Sequence, residues 1–245
     1  MAKIKSNAEG RKPPLCIVGT APSYVETPFG DETVEIWAIS AAVVREGFKR
    51  ADRIFEMHPR RYWGDVNVQE RLNTFKGPVY MQDHYEEIPN SVKYPYDEVR
   101  EKFYLPVMGD NLFVTTTMVW MILLALHEGY TDISLYGVHM AHETEYSYQQ
   151  SSCSWVLGIV HGWMLEGKPY KLFIHEDSEI LKARYEYGYG EPTRQMAYLK
   201  KRVEGLKEGI KRADAQITDL QRRKYMTEGA ISEAKNIHDV LAGFK

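Results

Sequence analysis

The segment Val18-Gly19-Thr20-Ala21-Pro22-Ser23 carries a glycine, two hydroxyls and a proline directly after a short apolar run. A strand that ends in glycine and continues in small residues lets backbone N–H groups approach a phosphate. A hydroxyl such as Ser23 adds a donor at the start of the next helix. The segment lacks the second glycine of GxGxxG and the Gly-Lys-Ser/Thr of a Walker A loop, so an ordinary tight turn stands beside the ligand-binding reading. A second cluster runs Gly137-Val138-His139-Met140-Ala141-His142-Glu143-Thr144-Glu145-Tyr146-Ser147-Tyr148. There His139 or His142 can take a proton from a hydroxyl near neutral pH, and Tyr146 and Tyr148 can bind a leaving phosphate. The plain alternative is a polar loop with surface histidines. His139-x-x-His142-Glu143 is not a zincin motif and fixes no third ligand, so no metal is expected.

A third cluster, Phe55-Glu56-Met57-His58-Pro59-Arg60-Arg61-Tyr62-Trp63, offers His58, Arg60 and Arg61 to an anionic substrate and Tyr62 or Trp63 for stacking. An exposed loop accounts for it almost as well. His161 and Trp163 fall inside an apolar run and are expected in the core. Asp177 or Ser178 is expected to cap a helix starting at Glu179.

These residues need a scaffold, and the hydrophobic pattern supplies one. Short β-rich runs occur at Leu15–Val18, Ile36–Ile39, Arg53–Met57, Val79–Met81, Ile133–Tyr136 and Lys171–Ile174, each bounded by Gly, Pro, Asp or His. Helix-length segments at Thr115–His127 and Cys153–Leu165 separate the later strands, and Gly129 and Gly167 stand where left-handed helix caps belong. Strands alternating with helices imply an α/β fold, a Rossmann-like doubly wound parallel sheet, with ligands at the C-terminal strand ends. The stretch from His58 to Pro106 predicts one strand and surface loops.

The composition changes after residue 190. Met196, Leu199, Val203, Leu206, Ile210, Ala213, Ile217 and Leu220 repeat in steps of three and four, a heptad seam. The expected organisation is a flexible start at 1–14, a nucleotide-binding domain at 15–190 and a basic helical tail at 191–245, either a coiled coil or a helical hairpin. A turn near Arg223 to Gly229, with Ile231, Ala234, Ile237 and Leu241 packed back, is favoured over one rod. Lys200, Lys201, Arg202, Lys207, Lys211, Arg212, Arg222, Arg223 and Lys224 make the tail basic. Homo-oligomerisation is preferred to nucleic-acid binding as its purpose.

The Gly-x-x-Pro-Ser loop, a helix opening Thr115-Thr116-Thr117, and Gly129-Tyr-Thr-Asp-Ile-Ser-Leu-Tyr-Gly-Val-His139 together resemble the glycosyltransferase family 42 sialyltransferases and proteins similar to 6-hydroxymethylpterin pyrophosphokinase. The chain is also similar to uncharacterised bacteriophage proteins with the same core and a coiled tail. The resemblance implies a nucleotide or nucleotide-sugar donor, used as substrate with no tightly bound cofactor. It implies that Gly19, Thr20, Pro22 and Ser23 lie near the phosphates and Thr115, Thr116 and Thr117 near the base or ribose. His139 stands where those families have aspartate.

With 44% hydrophobic residues and a formal charge of −3, neither disorder nor whole-molecule attraction to nucleic acid is implied. Cys16 and Cys153 show no zinc spacing and read as buried thiols. No signal peptide is visible. The longest apolar run, Val114 to Leu126, is shorter than the roughly 20 residues of a membrane span. A cytoplasmic protein without membrane contact is expected, either a metal-independent transferase with a nucleotide-type small molecule as partner or a non-catalytic nucleotide-binding or assembly module.

Overall fold

The computed structural model describes residues 12–63, 66–140, 144–183, 186, 189 and 192–242. Most of the expected flexible start, along with His142, lies outside these residues. The described residues up to Lys182 form one compact unit and those from Ala183 onward another.

Seven strands make the first unit's sheet: β1 (Leu15–Val18), β2 (Glu35–Ile39), β3 (Arg53–Glu56), β4 (Val79–Met81), β5 (Ser91–Lys93), β6 (Asp132–Tyr136) and β7 (Lys171–Ile174). Their order is β5-β4-β3-β2-β1-β6-β7, and every pairing is parallel. The chain therefore winds outward from β1 to β5, then returns to lay β6 and β7 on the opposite side of β1. That reversal puts a topological switch point between β1 and β6, where diverging loops leave a crevice beyond the strand ends.

Alternation along the strands builds two cores. Leu15, Ile17, Trp37 and Phe55 pack on one face with α2 (Tyr96–Phe103), α3 (Thr117–His127) and α4 (Thr144–Leu165). Cys16, Val18, Ile36, Ala38 and Ile54 pack on the other with Val68 and Leu72 of α1 (Val66–Thr74). Both faces are covered, which is why these strands read as continuous apolar runs instead of alternating ones. β7 departs from that pattern; it lies at the sheet edge and is partly exposed.

Gly129 and Gly167 adopt φ of +86° and +75° at the ends of α3 and α4, as the caps require. α3 begins at Thr117 with Thr116 as N-cap, two residues later than expected. Thr116 Oγ1 accepts the Met118 N–H at 3.4 Å. α4 begins at Thr144, so the polar cluster ending in Tyr148 is loop only in its first part. His161 is exposed and Trp163 only half-buried, because the last turns of α4 run past the core; Trp163 stacks on Tyr170 at 4.9 Å. No helix starts at Glu179. Ser178 Oγ accepts the Ile180 N–H within a turn instead. Between His58 and Pro106 lie β4, β5, α1 and α2, two strands and two helices where one strand and loops were expected.

The N-terminal edge of the sheet is closed by a buried charge network. Arg53 Nε donates to Glu35 Oε1 at 2.9 Å, and its Nη1 donates to Glu128 Oε1 at 2.7 Å. Tyr130 and Trp37 donate to the same Glu35 carboxylate. This end holds the sheet together, and the opposite end carries the crevice.

The second unit is α5 (Pro192–Ala242), one continuous helix. The expected hairpin is not formed. Asp219 pairs with Arg223 at 2.7 Å and Lys224 with Glu228 at 3.7 Å, one turn apart, across the position where a break was expected. Gly229 costs roughly 1 kcal/mol in a helix, too little to break it without proline. Along α5, Val203 (47%), Leu206 (59%), Ile210 (61%) and Leu220 (62%) are exposed. Among the described residues no helix is long and apolar enough to cross a membrane.

Candidate functional site

At the switch point the loops after β1 and β6 interlock through their backbones. Gly19 N–H donates to Tyr136 O and Ala21 N–H to Gly137 O, both at 2.9 Å. A Cβ on Gly19 would stand 2.4 Å from Gly137 O, and one on Gly137, whose φ is +65°, would stand 2.7 Å from Gly19 O. Only glycine fits at either position.

Ser23 locks the same loops by side chain. Its Oγ accepts the Gly137 N–H at 3.0 Å and lies 2.7 Å from His139 Nε2. Ser23 is buried, and its hydroxyl is engaged within the protein, so it positions His139 rather than facing solvent. With Nε2 held on Ser23, Nδ1 is the nitrogen left for other chemistry when the ring is in its Nε2–H tautomer. Burial holds the His139 imidazole below the ordinary histidine range. Asp177 opposes that shift, and the charges of His175 and Lys182 add to it. The ring is therefore a neutral acceptor at neutral pH.

The crevice outside these loops is a cleft of about 390 Å³, within the range that encloses small ligands. Gly19, Thr20, Ala21 and Pro22 line one wall; Gly137, Val138, His139 and Met140 line the opposite wall. Thr116 and Met118 bring the N-terminus of α3, with its positive dipole end, to the cleft. Arg45, which follows β2, lines it as well and has no ion-pair partner among the described residues. Met140 holds a φ of +52° in this wall, the strained backbone often found at ligand sites.

The structure thus gathers Gly19, Thr20, Pro22, Thr116 and His139 around one cleft, with Ser23 behind it. Thr117 is the first residue of α3. Thr115 and Tyr148 belong instead to a neighbouring hollow of about 700 Å³ with Phe113 and Trp155, and Thr115 Oγ1 bonds Ser152 Oγ at 2.6 Å. The side chain of Tyr146 lies outside the described residues. His58, Arg60 and Arg61 sit apart from the cleft lining. His58 Nδ1 is 2.6 Å from Glu56 Oε1, Arg60 pairs with Glu87 at 2.5 Å, and Arg61 lies over the Tyr62 ring. Arg60 also lines a third, smaller pocket with Trp63, Gln69 and Glu87.

Sequence reasoning missed Arg45 and Gln149. Arg45 shares one signal with the residues it did find, a place just after the C-terminal end of a strand. Gln149 reaches the cleft from α4, and periodicity carries no mark of that.

No protein-family model matches the chain, and no curated protein matches it. Among solved structures the chain is similar to the sialyltransferase CstII from Campylobacter jejuni in complex with the substrate analogue CMP-3FNeuAc. The identity is 13% and the TM-score 0.44, over 65% of this chain and 79% of that one. The same enzyme in complex with cytidine-5'-monophosphate gives 12% identity and a TM-score of 0.42 over 66% and 79%. CstII with a trisaccharide acceptor and CMP gives 12% and 0.42 over 65% and 80%.

Proposed function

We propose that this chain is a transferase that uses a nucleotide-activated donor, with glycosyl transfer as its reaction class. The observation that carries this reading is the convergence of the Gly19 loop, the α3 N-terminus, Arg45 and His139 on one cleft at the switch point. A helix N-terminus and an arginine with no ion-pair partner among the described residues suit a phosphate, and the small residues of the loop allow close backbone approach. Nδ1 of His139 accepts the proton of an acceptor hydroxyl as its oxygen attacks the sugar carbon. The bond from that carbon to the donor phosphate breaks, and its electron pair leaves with the phosphate, whose charge Arg45 and the helix end meet. The hollow lined by Thr115, the residue before Thr116 of the cleft, and by Tyr148 serves the acceptor. The motif resemblance to family 42 sialyltransferases supports the same class.

The expected pH dependence follows from the state of His139. Its affinity for protons is depressed, so the neutral base persists as pH falls and is lost only below the ordinary histidine range. Donor turnover measured against pH should show an acidic limb there, and His139→Gln should lower the rate by roughly 10²–10⁴-fold and abolish that limb. A rate that is unchanged in His139→Gln, or a limb that persists in it, removes His139 from the chemistry.

A second reading, a nucleotide-binding module without catalysis, is favoured by the bond between His139 Nε2 and Ser23, which also suits a purely structural histidine. Donor binding without turnover would select it.

The α5 seam is also assigned to self-association. An apolar stripe of this length needs cover, and a second copy supplies a matching one. Light scattering at tens of micromolar should show an oligomer, and Leu206→Glu with Ile210→Glu should yield a monomer. A wild-type monomer rejects the assignment.

A further inference from the structure

One ring nitrogen of His139, one of His175 and a carboxylate oxygen of Asp177 lie within 4.8 Å of one another. The three come from two loops, the one after β6 and the one after β7. From these and their partners we propose a binding site for a divalent transition-metal ion of the zinc type.

The hydrogen bonds around the cluster favour this assignment. His175 Nε2 lies 3.0 Å from Glu26 Oε2, and His175 Nδ1 accepts the Asp177 N–H at 3.2 Å. The imidazole hydrogen therefore sits on Nε2, directed at a carboxylate, and the lone pair of Nδ1 holds the Asp177 N–H in a long bond that a metal ion would displace, with Asp177 Oδ2 3.7 Å away. A ligating histidine that donates its other N–H to a carboxylate is the usual outer arrangement of a zinc site. His139 repeats the plan, with Nε2 held on Ser23 Oγ at 2.7 Å. Each histidine has Nε2 against a protein group; with that nitrogen protonated, Nδ1 of each is the metal donor, His175 Nδ1 after releasing the Asp177 N–H.

Zinc takes nitrogen at about 2.0–2.1 Å and carboxylate oxygen at about 2.0–2.2 Å in a tetrahedron, so ligand atoms around it stand roughly 3.4 Å apart. The 3.7 Å separation of His175 Nδ1 and Asp177 Oδ2 is close to that value. Separations of up to 4.8 Å must close by as much as about 1.4 Å, and Asp177, with a side chain 63% exposed, has room to swing inward. Three protein ligands leave a fourth position open. One charge opposes the ion, the ammonium of Lys182, which is held on the carbonyl oxygens of His175 and Glu176.

A metal on His139 Nδ1 occupies the lone pair that proton transfer needs. Bound zinc therefore inhibits turnover, and that consequence rests on the transferase reading, whereas binding itself does not.

Cobalt(II) is the probe, because tetrahedral coordination gives strong visible absorption without any nucleotide present. Titration of the metal-free full chain should produce these bands with one equivalent, and added zinc should bleach them. Glu26→Gln should weaken binding by roughly 10–100-fold, the usual effect of losing such a partner, and Asp177→Asn should weaken it by at least as much. Both side chains are more than half exposed, so the variants should keep the wild-type melting midpoint. Absence of visible bands up to millimolar cobalt overturns the site, as do bands of undiminished affinity in Asp177→Asn. Cobalt binding without inhibition of turnover keeps the site and rejects His139 as the base.

Discussion

Gly137→Ala should unfold the switch point and abolish ligand binding. A non-glycine residue at φ +65° costs about 1–3 kcal/mol, and forcing its Cβ to 2.7 Å from the Gly19 carbonyl oxygen adds about 1–3 kcal/mol more. Together these remove a large part of the roughly 5–15 kcal/mol that holds a domain folded. Gly47→Ala separates the two causes, because Gly47 has φ +83° but nothing within 4 Å of the added carbon. Denaturant titration should show a loss of about 2–6 kcal/mol at Gly137 and only the strain cost at Gly47. Equal losses at the two positions would contradict the interlocked-loop account.

Arg53→Met should cost about 3–5 kcal/mol, because it leaves the Glu35 carboxylate buried without its cation. Glu35 and Arg53 side chains are 8% and 7% exposed, and the guanidinium also stacks over Trp37 at 4.4 Å. Replacing both, Arg53→Met with Glu35→Leu, should recover only part of that loss, since Glu128, Tyr130 and Trp37 lose partners as well. The measurement is a double-mutant cycle by chemical denaturation. A double variant less stable than Arg53→Met alone would show that the network contributes more than mutual neutralisation. Ligand affinity should be unchanged, because the network lies at the end of the sheet opposite the cleft.

The sequence made the central strands legible for a physical reason. Leu15–Val18 and Ile36–Ile39 are covered on both faces, so every position is apolar and the run stands out. β5 escaped because Ser91–Lys93 is a three-residue edge strand with two exposed residues, which carries almost no pattern. α1 and α2 are short and polar outside a few buried positions, Val68, Leu72, Val99 and Phe103, and their periodicity is faint. In α5 the helix was legible, while the turn expected near Arg223 to Gly229 is overridden by i,i+4 pairing.

The candidate site divides in the same way. Gly19, Thr20, Pro22, Thr116 and His139 were visible because strand ends and helix starts have local signatures. Arg60 and Arg61 shared such a signature, yet the structure pairs Arg60 with Glu87 and rests Arg61 on Tyr62, apart from the cleft. Arg45, His175 and Asp177 acquire their meaning from the strand order, since β1, beside which β2 lies, and β6, beside which β7 lies, are neighbours in the sheet though distant in sequence. Ser23 was found by its position after β1, but its role depends on Gly137 and His139, more than a hundred residues away.

The central claim is that the switch-point cleft binds a phosphorylated nucleotide through Arg45 and the α3 N-terminus. Isothermal titration of the full chain with CMP, UDP, GDP and their sugars tests it directly. The account predicts that one of them binds with a Kd below about 1 mM, and that Arg45→Gln weakens that binding by roughly 10–100-fold, the worth of one charge-assisted hydrogen bond. If none binds below millimolar, or if the ligand that binds is indifferent to Arg45→Gln, the account is contradicted.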